Sequence, residues 1–188
     1  MMTEYVEKKT ILSNEEVGRA IKRLAIEIVE KNYGIKDLAI IGIQTRGVPL
    51  ARRILAEIQA ACKEEGVSEI PFGALGITLY RDDVGTLDTP PELKETDLPF
   101  DLTGKKIILI DDVIYTGRTI RAAMDELMDN GRPQSIQLAV LVDRGHRELP
   151  IQPNFVGNKF QTSKEELIEV ELAETDGQDR VVLKERKS

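Results

Sequence analysis

Apolar positions along this chain follow two rhythms. Three short runs are apolar at almost every position: Leu38–Ile43 (LAIIGI), residues 107–110 (IILI) and residues 135–142 (SIQLAVLV). Runs of this length, rich in Ile and Val, predict strands buried on both faces of a parallel sheet. Residues 73–80 (GALGITLY) predict a further extended segment. Between them the apolar residues recur at helical spacing. Val17, Ala20, Ile21, Leu24, Ala25, Ile28 and Val29 follow the sequence Ser13-Asn14-Glu15-Glu16, an N-terminal capping box, and Gly34 supplies the stop. A second helix is predicted over residues 48–65. A third opens at Thr116-Gly117-Arg118-Thr119, carries Ile120, Ala123, Met124 and Leu127, and ends at Asn130-Gly131. Alternating strands and helices through residue 142 predict a doubly wound α/β sheet with helices on both faces. Beyond Pro150 the period shortens: residues 168–172 and 181–184 alternate about Asp176-Gly177, which predicts an antiparallel hairpin.

One stretch has no rhythm. Residues 81–101 hold Gly85, Pro90, Pro91 and Pro99, with seven acidic residues against two basic ones. Loops of this length within a compact domain are uncommon and are often lids over a site. Arg81, at its start, is placed to close onto a bound phosphate.

Composition narrows the function classes. With 188 residues the chain suits one domain over 1–188, with local additions at about 150–188. No apolar run approaches the ~20 residues a bilayer crossing requires, and the N-terminus lacks an apolar signal core, so a cytoplasmic location is expected. The single cysteine, Cys62, falls in a helical pattern and reads as a small core residue. One histidine, His146, leaves hydrolase triads almost without support and excludes Cys/His metal clusters. A formal charge of −7 disfavours indiscriminate nucleic-acid binding, so any such contact needs a local patch. Arg19, Lys22 and Arg23 share the helix face opposite the apolar stripe, with Ile26 among them; the face is either simply solvated or a contact surface.

The chemistry concentrates in residues 107–119, IILIDDVIYTGRT. Asp111 and Asp112 stand side by side at a strand end, and Thr116-Gly117-Arg118-Thr119 opens a helix, where backbone N–H groups and two hydroxyls favour an anion. Carboxylates accept from paired hydroxyls and repel a bare phosphate. A sugar 5-phosphate satisfies both halves. Thr45-Arg46-Gly47, at the equivalent end of another strand, offers a second anion site. Negative charge at the aspartates would also stabilise an oxocarbenium-like carbon. The patterns G-x-x-x-x-G-K-[ST] and G-x-G-x-x-G after a strand are absent. A response-regulator or phosphatase pair of aspartates remains an alternative, and these residues alone leave the reaction open.

IILIDDVIYTGRT resembles the 5-phosphoribosyl-1-pyrophosphate (PRPP) motif of type I phosphoribosyltransferases. GIQTRG at 42–47, ITLYRDD at 77–83, SIQLAVLVDRGHRELPI at 135–151 and NFVGNKFQTSKEE at 154–166 are similar to the PyrR family, bifunctional pyrimidine operon regulators and uracil phosphoribosyltransferases. The resemblance spans nearly the whole chain. It implies the type I phosphoribosyltransferase fold, a mostly parallel doubly wound sheet with a small hood and a C-terminal β-hairpin. It also implies transfer of the phosphoribosyl group from PRPP to uracil, giving UMP and pyrophosphate with Mg²⁺. Carried over by motif, Asp111 and Asp112 hold the ribose hydroxyls, Thr116, Gly117, Arg118 and Thr119 the 5-phosphate, and Thr45, Arg46 and Gly47 the pyrophosphate. Arg81 closes over the leaving group. Mg²⁺ rests mainly on substrate oxygens, near Asp111 and Asp112 rather than in a protein cage.

Tyr115 stands where relatives acting on purines place a third acid, and base contacts are expected from Val142 and Arg144. The family binds a stem-loop in the mRNA leader of pyrimidine genes when UMP or UTP is bound. It thereby ends transcription early or blocks translation. Arg19, Lys22, Arg23, Lys31, His146, Arg147 and Lys159 are the basic residues available for that surface. Ile26, Gln152 and Asn158 occupy positions that are often basic in the family. The alternative is a phosphoribosyltransferase whose patch serves self-association, and a homodimer or higher oligomer is implied in either case.

Overall fold

A computed structural model describes residues 5–62, 69–77 and 95–187. Its centre is a five-stranded parallel sheet in the order β3-β2-β4-β5-β6, built from β2 (Leu38–Ile43), β3 (Phe72–Leu75), β4 (Lys106–Ile114), β5 (Ser135–Asp143) and β6 (Phe155–Lys159). Every residue of β2 is buried, as its unbroken apolar run predicts. Side-chain alternation divides the core in two. Leu38, Ile40, Ile108, Ile110, Ala139 and Leu141 pack on one face with α1 (Asn14–Lys31) and α2 (Gly47–Ala61). Ala39, Ile41, Ile43, Ile107, Leu109, Leu138 and Val140 pack on the other with Ile120, Ala123 and Leu127 of α3 (Arg118–Asp129). The predicted doubly wound layering is therefore present.

The capping box forms as the sequence implies: Ser13 Oγ accepts from the Glu16 N–H, and the Glu16 carboxylate accepts from the Ser13 N–H at 2.8 Å. The helix it starts ends one turn before Gly34, where buried Asn32 donates to the Ile28 carbonyl and exchanges amide hydrogen bonds with Gln137 of β5. The last residues of the expected 48–65 helix and of the expected 73–80 segment lie outside the described residues. So does most of the expected lid, with Arg81. Its end, Asp97, returns to exchange two 2.8 Å backbone hydrogen bonds with Ala74 of β3.

Three departures from the sequence expectation bear on the site. First, β4 does not stop at Ile110 but runs through Asp111 and Asp112 to Ile114. Secondly, β6 belongs to the parallel sheet rather than to a hood beginning at about 150, although only Phe155 and Val156 of it are apolar. As an edge strand it needs a partner on one side alone. Thirdly, the C-terminal hairpin of β7 (Glu166–Glu171) and β8 (Arg180–Arg186) acquires a third strand, β1 (Tyr5–Leu12), antiparallel to β8. β1 is exposed over most of its length, so its hydrophobic pattern carries little signal, and Lys8 ties it down through ion pairs with Glu166 and Glu185. Apolar residues of this hood, Leu12, Ile168, Val170, Leu172, Val181 and Leu183, join the core on the α1/α2 side.

Candidate active site

The strand order changes direction at β2: the next strand, β3, lies on one side and β4 on the other. Crevices at such switch points, beyond the strands' carboxyl ends, are where open α/β sheets bind ligands. Register opens this one. The β2–β4 ladder ends at Gly42–Ile110, whereas the β4–β5 ladder continues to Ile114–Asp143. Residues 111–114 thus overhang the end of β2, and the turn Gln44-Thr45-Arg46-Gly47 fills that side.

Close packing fixes the turn against the overhang. A Cβ on Gly47 would lie 2.6 Å from the Ile110 carbonyl oxygen and 3.5 Å from Asp111 Oδ1, so only glycine allows this approach. The Gln44–Thr45 peptide is cis. Asp111 is buried, with Oδ1 accepting from the Asp112 N–H at 2.9 Å, and Asp112 Oδ1 accepts from the Val113 N–H at 2.9 Å. Each carboxylate is thereby held in one orientation by its own strand. Next comes Gly117, φ +94, which turns the chain into the 12-residue helix α3 without a side-chain cap, so the helix opens at the carboxyl end of β4. Thr116 Oγ1 accepts from the Arg118 N–H at 3.2 Å. Both expected anion turns therefore flank the aspartate pair, on the strands and helices the sequence predicts.

The loop after β5 backs the Thr116–Thr119 turn. Glu148 and Leu149 N–H groups donate to the Thr116 carbonyl, and Glu148 pairs with Arg118 at 2.7 Å. The residues expected to contact the base and the RNA are placed as follows. Val142 is fully buried in the core. Arg144 is also buried, with its guanidinium 3.9 Å from the centre of the Tyr115 ring. It donates to the Ser163 and Glu166 carbonyls and so fastens β5 to the hood. Arg147 does not belong to an open basic surface: it pairs with Asp143 at 2.7 Å, donates to the Ile151 and Tyr115 carbonyls, and keeps 13% of its side chain exposed. His146 is half-buried, Nε2 lying 2.6 Å from the Thr162 carbonyl oxygen and the ring edge-on to Tyr115. Sequence spacing does not show what surrounds a loop, so charged side chains satisfied internally look like surface ones.

Arg19, Lys22, Arg23, Lys31 and Lys159 do lie on the surface. Arg23 donates to the Gly157 carbonyl and Lys31 stands over the Phe155 ring, so the charged face of α1 adjoins the β6 edge. Ile26 is 54% exposed on that same face.

Sequence reasoning missed how the hood reaches the crevice. Arg46 donates from Nε and Nη2 to both carboxylate oxygens of Asp176, at 3.0 and 2.7 Å. Asp176 ends the short helix α4 (Ala173–Asp176) between β7 and β8. Arg53, two turns along α2, holds Glu174 and Asp179 on either side of it. Burial alone would raise the Asp176 carboxyl, but Arg46, the Leu172 N–H and the Thr175 hydroxyl outweigh it and lower its pKa to about 2. A carboxyl depressed in the folded state stabilises above its ordinary pKa, near 4, and loses that contribution as pH falls through the folded value. The stability difference between the protein and its Asp176→Asn variant is therefore expected to shrink from about pH 5 to about pH 2. It is on the order of 1 kcal/mol, discounted for the solvent that reaches this turn. Chemical-denaturation midpoints measured across that range check it; a constant difference contradicts it.

Known proteins share the sequence pattern and the fold. Residues 7–175 match the phosphoribosyl transferase domain family. The chain is 55% identical over 176 residues to the bifunctional protein PyrR of Deinococcus radiodurans, covering 94% of each. It is 54% identical over 180 residues to that of Thermus thermophilus, covering 96% of this chain and 97% of the relative. Among solved structures, a hypoxanthine-guanine phosphoribosyltransferase of Bacillus anthracis superposes with a TM-score of 0.70 at 20% identity, over 94% of this chain and 98% of that one. A hypoxanthine phosphoribosyltransferase of Trypanosoma cruzi gives 0.67 at 16% identity, over 96% and 98%. At such identities these two speak for the fold alone. The chain belongs to the phosphoribosyltransferase family and, within it, to the PyrR proteins.

Proposed function

We propose that this protein is a cytoplasmic uracil phosphoribosyltransferase that also regulates pyrimidine genes by binding their mRNA leader. The observation that carries the enzymatic half is the overhang of β4, which sets Asp111 and Asp112 between the Arg46 turn and the Thr116–Thr119 turn. A ribose spanning that gap places its hydroxyls on the aspartates, its 5-phosphate on the amides that open α3 and its pyrophosphate at Thr45, Arg46 and Gly47. Uracil N1 then bonds to the sugar's first carbon as the bond to pyrophosphate breaks, and the N1 proton passes to the departing pyrophosphate. Positive charge gathers at that carbon, and the carboxylates, fixed by their own backbone amides, stabilise it without reorganising. Arg81 is assigned to closing over the leaving group and keeping water from the cation.

Mg²⁺ fits this donor set. Two adjacent carboxylates and the oxygens of PRPP are hard ligands of the kind Mg²⁺ takes. Bound there, the ion neutralises charge on the pyrophosphate. The base side has no carboxylate at Tyr115, whose ring is held by Arg144, so uracil is bound through its own acidic N–H and through backbone near 142–144. Arg19, Lys22, Arg23, Lys31 and Lys159 form the surface for RNA, with UMP or UTP as the signal. The protein works as a homodimer or larger homo-oligomer. Among the described residues no helix is long and apolar enough to cross a membrane.

Gel retardation with a pyrimidine-operon leader tests the regulatory half. Expected is retardation that requires UMP and weakens with salt, as phosphate contacts demand. If no UMP-dependent shift occurs at low salt, the α1 patch serves self-association instead.

A further inference from the structure

The Arg46–Asp176 pair has a geometry that the proposed reaction leaves unused. A guanidinium has two donor edges, each able to hold an oxyanion in fork geometry. Asp176 takes the Nε/Nη2 edge at 3.0 and 2.7 Å. Among the described residues no hydrogen-bond partner takes the Nη1/Nη2 edge, and the Asp112 carboxylate acts on the same guanidinium through space. Asp176 is itself immobilised. Its Oδ2 accepts from the Leu172 N–H at 2.9 Å and the Thr175 hydroxyl at 2.7 Å, and Arg53 clamps Glu174 and Asp179 on either side of it. A carboxylate held at so many points does not swing aside when a ligand arrives.

We infer that Asp176, reaching over from the hood, is a positioning residue that grips Arg46 by one edge and aims the other at the pyrophosphate group of PRPP. This rests on the reading of the 44–47 turn as the pyrophosphate site. An arginine side chain has four rotatable bonds, and a free one would lose that freedom on each binding event. Fixing it beforehand removes the cost from ligand binding. The competing idea, that Asp176 shields Arg46 and must be displaced, predicts the opposite sign.

The test uses the whole protein with Mg²⁺-pyrophosphate and Mg²⁺-PRPP as probes. Asp176→Asn keeps the shape and removes the charge. Expected are roughly tenfold rises in the pyrophosphate Kd, by calorimetry, and in the KM for PRPP, with kcat within about twofold and the KM for uracil unchanged. Asp176→Glu should restore part of the loss. In an Arg46→Lys background, which lacks the fork, Asp176→Asn should add little, because the two act as one unit. Wild-type affinity, or tighter binding, in Asp176→Asn overturns the inference while Arg46→Lys still weakens pyrophosphate. If Arg46→Lys itself leaves pyrophosphate binding unaltered, the reading of the 44–47 turn fails instead, and the inference with it. Should Asp176→Asn fold poorly, Thr175→Val removes one support of the same carboxylate and is expected to raise the KM for PRPP about twofold; no rise counts against the inference.

Discussion

Replacing Asp111 and Asp112 together with asparagine is expected to lower the rate of UMP formation by at least about 10³-fold while leaving the fold intact. Removing one preorganised electrostatic partner of a transition state typically costs about 10²–10³ in rate, and here the charge of both is lost at the carbon that becomes cationic. Asparagine retains an oxygen able to accept the Asp112 and Val113 amides, so the backbone of β4 has no reason to move. Asp111 is buried, and removing its charge relieves desolvation as well as losing contacts, so the change in thermal stability should be small. Steady-state kinetics with uracil and PRPP, beside a melting curve, measure both. A double variant with near-native turnover contradicts the assignment of the aspartates; one that melts far lower makes their role structural.

Arg53→Ala has the largest expected effect on stability. Its guanidinium donates to both oxygens of Glu174 and both of Asp179, and its side chain is 23% exposed. Both partners' carboxyl pKa values are lowered, with hydrogen bonding to Arg53 the leading cause. Alanine leaves two anions facing one another across α4 with nothing between them. Deleting one partner of a buried pair costs about 3–5 kcal/mol. This cluster is partly open to water, so about 2 kcal/mol is expected, or roughly 5 °C in Tm at this chain length. Arg53→Lys keeps the charge without the fork and should recover less than half of it. A melting temperature unchanged in Arg53→Ala would mean that the hood is held by its apolar contacts alone.

Much of the fold was legible where one physical signal dominates. Unbroken apolar runs gave β2, the start of β4 and β5; the capping box gave the start of α1, and periodicity gave the buried stripes of α1 and α3. The strands that sequence missed, β1 and β6, are edge strands stabilised by ladder hydrogen bonds, ion pairs and one close backbone approach, none of which leaves a hydrophobic period. The overhang of β4 was hidden for a similar reason. Two charged residues read as a strand's end, and only the register shows that β5 carries the strand onward.

The site divides in the same way. Local chemistry, the paired aspartates and the two glycine turns, can be read from adjacent residues. Long-range pairing cannot: Arg46 and Asp176 are 130 positions apart, and Asp176-Gly177 looked like turn chemistry alone. The internal partners of Arg144 and Arg147, the Glu166 carbonyl and the Asp143 carboxylate, are likewise invisible in sequence spacing. Ile26 kept its anomaly, since the structure leaves it exposed among charges.

The central claim is that a crevice whose paired carboxylates, Asp111 and Asp112, hold the sugar transfers phosphoribosyl groups to uracil. The most direct measurement is formation of nucleotide and pyrophosphate by the purified protein with Mg²⁺, PRPP and one base at a time. Uracil is predicted to yield UMP and pyrophosphate in equal amounts, with hypoxanthine and guanine giving neither. Turnover of a purine in preference to uracil, or no pyrophosphate released with any base, would contradict it.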